Sequence, residues 1–323
     1  MKALVLTEEG PQIREVERPE PRAGQVLVRV AANALNRADL GMAAGAMHGA
    51  RGGAGTVLGM EWAGVVEAIG AEVSSLTPGQ RVMGSSGGAF AEYLVAAADN
   101  LMPVPDANMS LETAACFPVG LRTMHNALVT AGELKAGQRV LIQGASSGVG
   151  LLGMQIAREM GAGLVLGSST DAARRARLAE FGADAVIDTS QSDWPERVLE
   201  ATDGEGVDLI VDQVSGPLVN GNLKATRVLG RIVNVGRLGG TKSEFNADLH
   251  ALRRITYVGV TFRTRSAAEV AEINRRAAED LWPALTEGRL SIPIDEVFAF
   301  DRALDALEKM RRNEHFGKIV LRH

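Results

Sequence analysis

The chain has 323 residues, 46% of them hydrophobic and 23% charged, with a formal net charge of −5. This length predicts two domains, and the acidic balance argues against a nucleic-acid surface. No apolar stretch reaches the roughly 18–20 residues of a membrane span, and the N-terminus is typical of a strand and not of a signal peptide. Because Cys116 is the single cysteine, neither an internal disulfide nor a multi-cysteine zinc site can form. We therefore expect a cytoplasmic protein whose partners include neither membrane nor nucleic acid.

The first hundred residues have the pattern of a β-rich domain. Segments 2–6, 25–30, 64–69 and 91–96 are short β-favouring runs separated by turn residues, as in a barrel or rolled sheet. Segment 43–56 is rich in glycine and alanine and predicts a mobile loop, because strand patterns continue on both sides of it.

From about residue 130 strands and helices alternate. The predicted strands are 139–143, 164–167, 185–187, 207–211, 231–235 and 256–262, and the predicted helices are 151–160, 171–181, 195–202 and 218–227. This alternation predicts a parallel sheet with helices on both faces, a doubly wound α/β domain.

The C-terminal part returns to a mixed pattern. It contains a long predicted helix at 267–286, a strand at 296–300, a helix at 302–312 that Asp301 can cap, and a last strand at 318–321. A β-rich start and a mixed end around a doubly wound middle indicate an inserted nucleotide domain. We expect one domain from 1–120 plus 263–323 and the inserted domain from 121–262.

A run of small residues follows the predicted strand 139–143 and opens the next helix. Its members are Gly144, Ala145, Ser146, Ser147, Gly148, Val149 and Gly150. Small side chains let the backbone approach a pyrophosphate, and the helix N-terminus offers unpaired N–H donors. Ala145 stands where the usual three-glycine fingerprint has its first glycine, and an ordinary tight turn is the alternative. The surrounding strand–helix–strand context favours a dinucleotide site.

The end of the second strand of this domain favours NADPH as the cofactor. Sites for NAD usually place Asp or Glu there, whereas this chain has Gly167, Ser168, Ser169 and Thr170. Asp171 lies beyond them and can cap the next helix, and Arg174 follows one turn later. Hydroxyl groups and a guanidinium suit a 2′-phosphate, although a capped helix with exposed arginines has the same pattern.

The chain resembles the zinc-free quinone oxidoreductases (zeta-crystallin-like) of the medium-chain dehydrogenase/reductase superfamily. The residues that carry the resemblance lie at 34–39, 59–70, 79–83, 88–93, 114–123, 144–150, 212–216 and 317–321. The resemblance implies a GroES-like, β-rich catalytic domain built from both chain ends, with a Rossmann domain inserted, and a homodimer.

Two departures from the zinc-dependent relatives remove zinc ligands. Met60 replaces an imidazole, and Asn36 stands where those relatives have a cysteine. Thioether and amide groups are poor ligands for Zn²⁺, so we expect no metal. Glu61 is expected to be structural and paired with an arginine. Without a Lewis acid, the feasible reaction is hydride delivery to an activated acceptor, a quinone or an α,β-unsaturated carbonyl.

The resemblance also implies a set of site residues. Asn36 and Thr123 would lie near the nicotinamide and its ribose, as catalytic and cofactor-binding residues, or else form a buried polar pair that caps loops. The other implied cofactor contacts are Gly236, Arg237, Val260, Phe262 and Asn313. Val260 and Phe262 would line the amide pocket, or simply form a core strand. Asn313 would face the 2′-phosphate, where some relatives have a nearby cation.

Two other functions stay open. The first is a reductase of 2-enoyl thioesters, bound to CoA or to an acyl carrier, with Arg51, Arg263 and Arg265 as a basic surface that the sequence does not bring together. The second is an NADPH-binding protein with little turnover.

Overall fold

The computed structural model describes residues 1–49, 51–105 and 108–323. It divides into two compact units. The first comprises Met1–Val119, Phe262–Thr286 and Ile292–His323, and the second comprises Gly120–Thr261 and Glu287–Ser291. The centre of the predicted loop 43–56, at Ala50, lies outside the described residues.

The strands follow one another along the chain with helices concentrated in the second half. In chain order the strands are β1 (Lys2–Thr7), β2 (Gly10–Glu15), β3 (Gln25–Ala34), β4 (Glu61–Ile69), β5 (Arg81–Ser85), β6 (Tyr93–Ala97), β7 (Leu101–Pro103), β8 (Arg139–Gln143), β9 (Leu164–Ser168), β10 (Ala185–Ile187), β11 (Val207–Asp212), β12 (Thr226–Asn234), β13 (Thr256–Gly259), β14 (Ile294–Ala299) and β15 (Lys318–Arg322). The α-helices are α1 (Arg37–Ala43), α2 (Leu111–Ala114), α3 (Pro118–His125), α4 (Gly148–Glu159), α5 (Ala172–Ala176), α6 (Trp194–Glu200), α7 (Val219–Ala225), α8 (Ala247–Arg253), α9 (Ala267–Thr286) and α10 (Ala303–Arg312).

The first unit is built on β-structure from both chain ends. One sheet has the order β14-β15-β3-β4-β5-β7, with β6 also paired to β3, and a separate hairpin joins β1 to β2. The C-terminal strand β15 pairs antiparallel with β3, with Val320 opposite Ala34. This pairing places Lys318 in the same sheet as the end of β3, which leads into Asn36.

The second unit is a parallel six-stranded sheet in the order β10-β9-β8-β11-β12-β13. The strand order reverses between β8 and β11, and the crevice at such a switch point is where doubly wound domains bind ligands. Leu141, Ile210 and Ile232, one from each of three adjacent strands, are fully buried in one core cluster. Helix α4 starts directly at this crevice and is buried around most of its circumference.

Several element boundaries differ from the sequence predictions. The long helix 267–286 is confirmed, but the strand predicted at 256–262 ends at Gly259. Residues 226 and 227, predicted as helix, begin β12, because Thr226 already pairs with Val207 of β11. The predicted cap Asp301 is wrong: a 3₁₀ turn precedes α10, Arg302 occupies the N-cap position, and Asp301 instead accepts a 3.0 Å hydrogen bond from Lys2.

Across the described part of the chain, no helix is both long and apolar enough to cross a membrane.

Candidate cofactor site

The Gly-rich turn connects β8 to α4 in the second unit. Gly144 has a φ of +70°, a left-handed conformation that glycine adopts without strain. Ser147 caps α4: its Oγ accepts the Gly150 N–H at 3.0 Å and donates to the Gly144 carbonyl at 2.9 Å. The first N–H groups of a helix have no intrahelical partners, so those of Gly148 and Val149 lie at the turn as anion donors.

The backbone is packed tightly where this turn meets the helix. A Cβ added at Gly150 would lie 2.6 Å from the Gly144 oxygen and 2.7 Å from Ala145 Cα. The close packing of the turn against α4 therefore requires a residue without a side chain at Gly150. This is the role that the sequence predicts for the small residues of this segment. The geometry fits the pyrophosphate of a dinucleotide.

The turn is bonded to the end of the neighbouring strand β9. Ala145 N–H donates to the Ser168 carbonyl at 2.8 Å, and the hydroxyls of Ser146 and Ser169 lie 3.0 Å apart. Ser168 supports the turn from inside: its buried Oγ donates to Gln143 and accepts the Gly144 N–H at 3.1 Å. We therefore reassign Ser168 from a cofactor contact to a support, because its hydroxyl is already used within the fold.

The two adjacent arginines after β9 differ in their surroundings. Asp171 caps α5, as predicted, by accepting the Arg174 N–H at 2.8 Å. Arg175 donates to the Ser169 carbonyl at 2.8 Å and forms a 3.1 Å ion pair with Asp188. Arg175 therefore stabilises the corner, and Arg174, which the sequence predicts as a 2′-phosphate contact, is half-buried beside it.

On the other side of the switch point, residues that follow β11 bond to the Gly-rich turn. Gln213, which follows β11, donates from Nε2 to the Gln143 carbonyl at 3.0 Å and accepts from Ser147 Oγ at 3.3 Å. Asp212 accepts the N–H groups of Val214 and Ser215, each at 2.8 Å, and burial raises the pKa of its carboxyl. The motif at 212–216 therefore builds the floor of the crevice.

The predicted contacts after β12 and β13 fall in both units. Gly236 N–H donates to the Asp212 carbonyl at 3.1 Å, and Arg237 donates to the Val235 carbonyl at 3.3 Å. Val260 is buried and bonds through its N–H to the Asn234 carbonyl at 2.9 Å. Phe262 lies beyond β13 and belongs to the first unit, so its prediction as part of the sixth strand is wrong.

Thr123 is half-buried on α3, and Asn36 lies in the first unit. Helix α3 runs directly into a π-helical segment, Asn126–Thr130, a distortion that is common at functional sites.

Asn36 is the centre of a buried polar cluster, which we call the Asn36 cluster: Asn36, Asp39, Glu61 and Lys318. Lys318 Nζ donates to Asn36 Oδ1 at 3.0 Å, to the Leu35 carbonyl at 3.2 Å and to Glu61 Oε1. Asn36 Nδ2 donates to Glu61 Oε1 at 3.0 Å. The predicted arginine partner of Glu61 is wrong, since the cation is Lys318, which the sequence marked only as part of a strand motif.

The carboxyl groups of this cluster are strongly desolvated. Asp39 accepts the Asn36 N–H at 2.7 Å, and burial raises the pKa of Asp39 to about 7. Burial also raises the pKa of Glu61, against the opposing influence of the Lys318 ammonium. The side chains of Glu61 and Lys318 are 0% and 4% exposed, so their charges compensate each other with little help from water.

Asn313 ends α10 in the left-handed conformation, with a φ of +58°. Its side-chain oxygen accepts a hydrogen bond from Arg37, which also donates to the Met310 carbonyl at 2.9 Å. The arginines that precede Asn313 in the sequence, Arg311 and Arg312, pair with Glu308. The cation bonded to the Asn313 side chain is Arg37, at the start of α1 and 276 residues away in sequence.

Where the structure describes the chain, no three residues of the types His, Cys, Asp and Glu come together as a metal site. Cys116 is buried, with its Sγ 3.2 Å from the Glu112 carbonyl.

Comparisons with known proteins agree with this architecture. Residues 22–106 match the family described as alcohol dehydrogenase GroES-like domain, and residues 148–279 match the family described as zinc-binding dehydrogenase. A quinone oxidoreductase of Pseudomonas aeruginosa is 31% identical over 322 residues, covering 97% of this chain and 96% of that protein. A quinone oxidoreductase structure from Pseudomonas syringae superposes with a TM-score of 0.87 at 28% identity, covering 100% of this chain and 99% of that one.

Another relative is far longer. A component of the phenolphthiocerol/phthiocerol polyketide synthase of Mycobacterium tuberculosis is 32% identical over 309 residues, which cover 96% of this chain and 14% of that protein. The chain thus spans about one seventh of the length of this relative.

The full-length match to a quinone oxidoreductase, the two matched domains and the GroES-like plus Rossmann architecture agree with the resemblance seen in the sequence. The chain belongs to the quinone oxidoreductase-like family of the medium-chain dehydrogenase/reductase superfamily, whose members are oxidoreductases that use nicotinamide nucleotides.

Proposed function

We propose that this protein is an NADPH-dependent, zinc-independent reductase that transfers hydride to a quinone or an α,β-unsaturated carbonyl. The observation that carries the proposal is the corner between β8 and β9. There the Gly-rich turn is bonded to Ser169. The segment from the start of β9 to Thr170 contains no acidic residue, and the Asp171 carboxylate that follows it already caps α5.

The chain's residues act mainly by binding and orientation. The N-terminus of α4 takes the pyrophosphate, while Ser169 and Arg174 take the 2′-phosphate. NADPH, when bound, supplies the hydride. Asn36 and Met60 lack the ligand chemistry for zinc, so the acceptor must carry its own means of spreading negative charge. Quinones and conjugated carbonyls do this, whereas a simple ketone does not.

The first experiment follows NADPH oxidation by absorbance with 1,4-benzoquinone, 9,10-phenanthrenequinone, a simple enone and crotonyl-CoA. We expect turnover with the first three. Measurable NADPH binding without oxidation in the presence of any acceptor would refute the proposal and favour a binding protein with little turnover.

The second experiment tests the nucleotide. Arg174→Ala is expected to weaken NADPH binding at least tenfold and to leave NADH binding within about threefold, because only NADPH carries the charge that a guanidinium binds. Arg177→Ala is the matched control, since Arg177 pairs with Glu180 at 3.2 Å on the same segment. Equal losses for both nucleotides would remove Arg174 from the 2′-phosphate.

One observation favours a second candidate, the reduction of 2-enoyl thioesters. A Cβ added at Gly49 would lie 2.8 Å from the Arg263 carbonyl, and His48 forms a backbone bridge with Arg51. The fold therefore brings two of the three arginines of the expected basic surface into one region of the first unit. The similarity to part of a polyketide synthase supports the same candidate. Crotonyl-CoA distinguishes it: a kcat/KM above that of both quinones would make the thioester the preferred class.

A further inference from the structure

We propose that Glu61 and Lys318 are positioning residues for the reduction, which hold the Asn36 amide in one orientation and anchor the start of α3. The inference rests on the proposed function, because it matters for catalysis only if Asn36 and Thr123 contact the cofactor or the substrate. Neither Glu61 nor Lys318 needs to touch the reacting atoms.

The orientation of the Asn36 amide is determined by the chemistry of its neighbours. Its Oδ1 lies 3.0 Å from Lys318 Nζ, and its Nδ2 lies 3.0 Å from Glu61 Oε1. An ammonium can only donate a hydrogen bond, and an ionised carboxylate can only accept one. A flipped amide would place NH₂ against the ammonium and the carbonyl against the carboxylate. Only one orientation satisfies both partners.

The second oxygen of Glu61 extends the same network to α3. Glu61 Oε2 accepts the Val119 N–H at 2.9 Å, one of the helix-start donors that lack an intrahelical partner. A negative charge is also favoured at this end of the helix dipole. Thr123 lies one turn further along α3. A single carboxylate therefore bonds both the Asn36 amide and the first turn of α3.

Stability alone does not require this arrangement. A buried ion pair can often be replaced by neutral groups of similar size with little loss of stability, because the desolvation of both charges offsets their attraction. Neutral replacements would, however, remove the ammonium, which can only donate, and put in place of the carboxylate an amide that both donates and accepts, so neither partner would determine the Asn36 amide orientation. Stability and orientation can therefore be separated by mutation.

The test compares Glu61→Gln, Lys318→Met and the double variant with a control, Lys309→Met. Lys309 belongs to the same unit but pairs with Asp295 and Glu296, each at 2.6 Å. We expect kcat to fall about 10–100-fold in both single variants, with the Kd for NADPH within about threefold of the wild type. The double variant should regain thermal stability but not kcat. The control should retain kcat.

Folded single variants with wild-type kcat, or a double variant that regains both stability and kcat, would overturn the proposal. If the wild type reduces no acceptor, the proposed function fails, and ¹⁵N NMR of the Asn36 side-chain amide still decides the positioning. We expect a slowly exchanging pair of amide protons that exchanges faster in Lys318→Met. An unchanged exchange rate in that variant would refute the inference.

Discussion

Replacing Gly150 by alanine tests the phosphate turn directly. The added Cβ would lie 2.6 Å from the Gly144 oxygen, about 0.8 Å short of ordinary van der Waals contact. Because the opposing atoms are backbone, the turn itself must move. A displacement of about 1 Å at a positioned site can cost about 100-fold in rate. We take the same factor for phosphate binding, which corresponds to about 2.7 kcal/mol of binding free energy. We expect the Kd for NADPH, measured by fluorescence titration, to rise by about that factor.

Gly153→Ala is the matched control, one turn along the same helix. Its Cβ would meet Met124 Sδ at 2.9 Å, and a thioether side chain can move aside. Helix propensity improves by up to about 1 kcal/mol in both variants, so propensity cannot explain a difference between them. We expect Gly153→Ala to bind NADPH within about threefold of the wild type. Wild-type affinity in Gly150→Ala, or an equal loss in both variants, would show that the turn does not bind the phosphates.

Three further outcomes follow from the buried groups. Burial raises the pKa of the Cys116 thiol, so the native protein should react with iodoacetamide at pH 8 far more slowly than the urea-unfolded protein; equal rates would contradict this. The raised pKa of Asp39, about 7 in the folded protein, lies above the unfolded value of 3.8, with Lys318 and Glu61 as the facing charges. Between these two pKa values the folded state binds more protons than the unfolded state. The Asp39 contribution to the free energy of unfolding therefore falls by about 2–3 kcal/mol as pH rises from 5 to 8. Urea unfolding of the wild type and of Asp39→Asn should show that difference, and parallel pH profiles for the two proteins would refute it. Lys318→Met should lose about 3–5 kcal/mol in urea unfolding at pH 7, since it leaves Glu61 buried without its cation, and a loss below about 1 kcal/mol would argue against a charged Glu61.

The doubly wound domain could be predicted because most of its elements have a local signal. Strand 139–143 has an apolar centre, and the helix predicted at 151–160 follows a turn of small residues. Helix α8 lies outside the predicted helices. Boundaries failed where pairing overrode the local pattern. Residues 226 and 227 continue a helical segment in sequence but pair with β11 in the sheet, and no local pattern reveals that pairing.

The candidate site also divides into residues that local sequence patterns predict and residues that only the pairing of distant strands brings together. Gly144 to Gly150, Ser169 and Asp171 are neighbours of a strand end, so their roles follow from local order. Lys318 and Glu61 are 257 residues apart, and Arg37 and Asn313 are 276 residues apart. Their meeting depends on the pairing of β15 with β3, which joins the two ends of the chain. A sequence shows the residue types but not this pairing, and for that reason an arginine was expected where a lysine is found.

The Asn36 cluster also bears on the choice of acceptor. Where zinc-dependent relatives have ligand side chains, this chain has Asn36 and Met60. A metal ion presents net positive charge toward a bound oxygen, whereas the ammonium of Lys318 is bonded to Glu61, Asn36 and the Leu35 carbonyl. Its charge is balanced inside the fold by a carboxylate that is itself fully buried. The cluster can therefore orient an amide but can offer little charge to a developing alkoxide, which supports the proposal that the hydride acceptor delocalises its own charge.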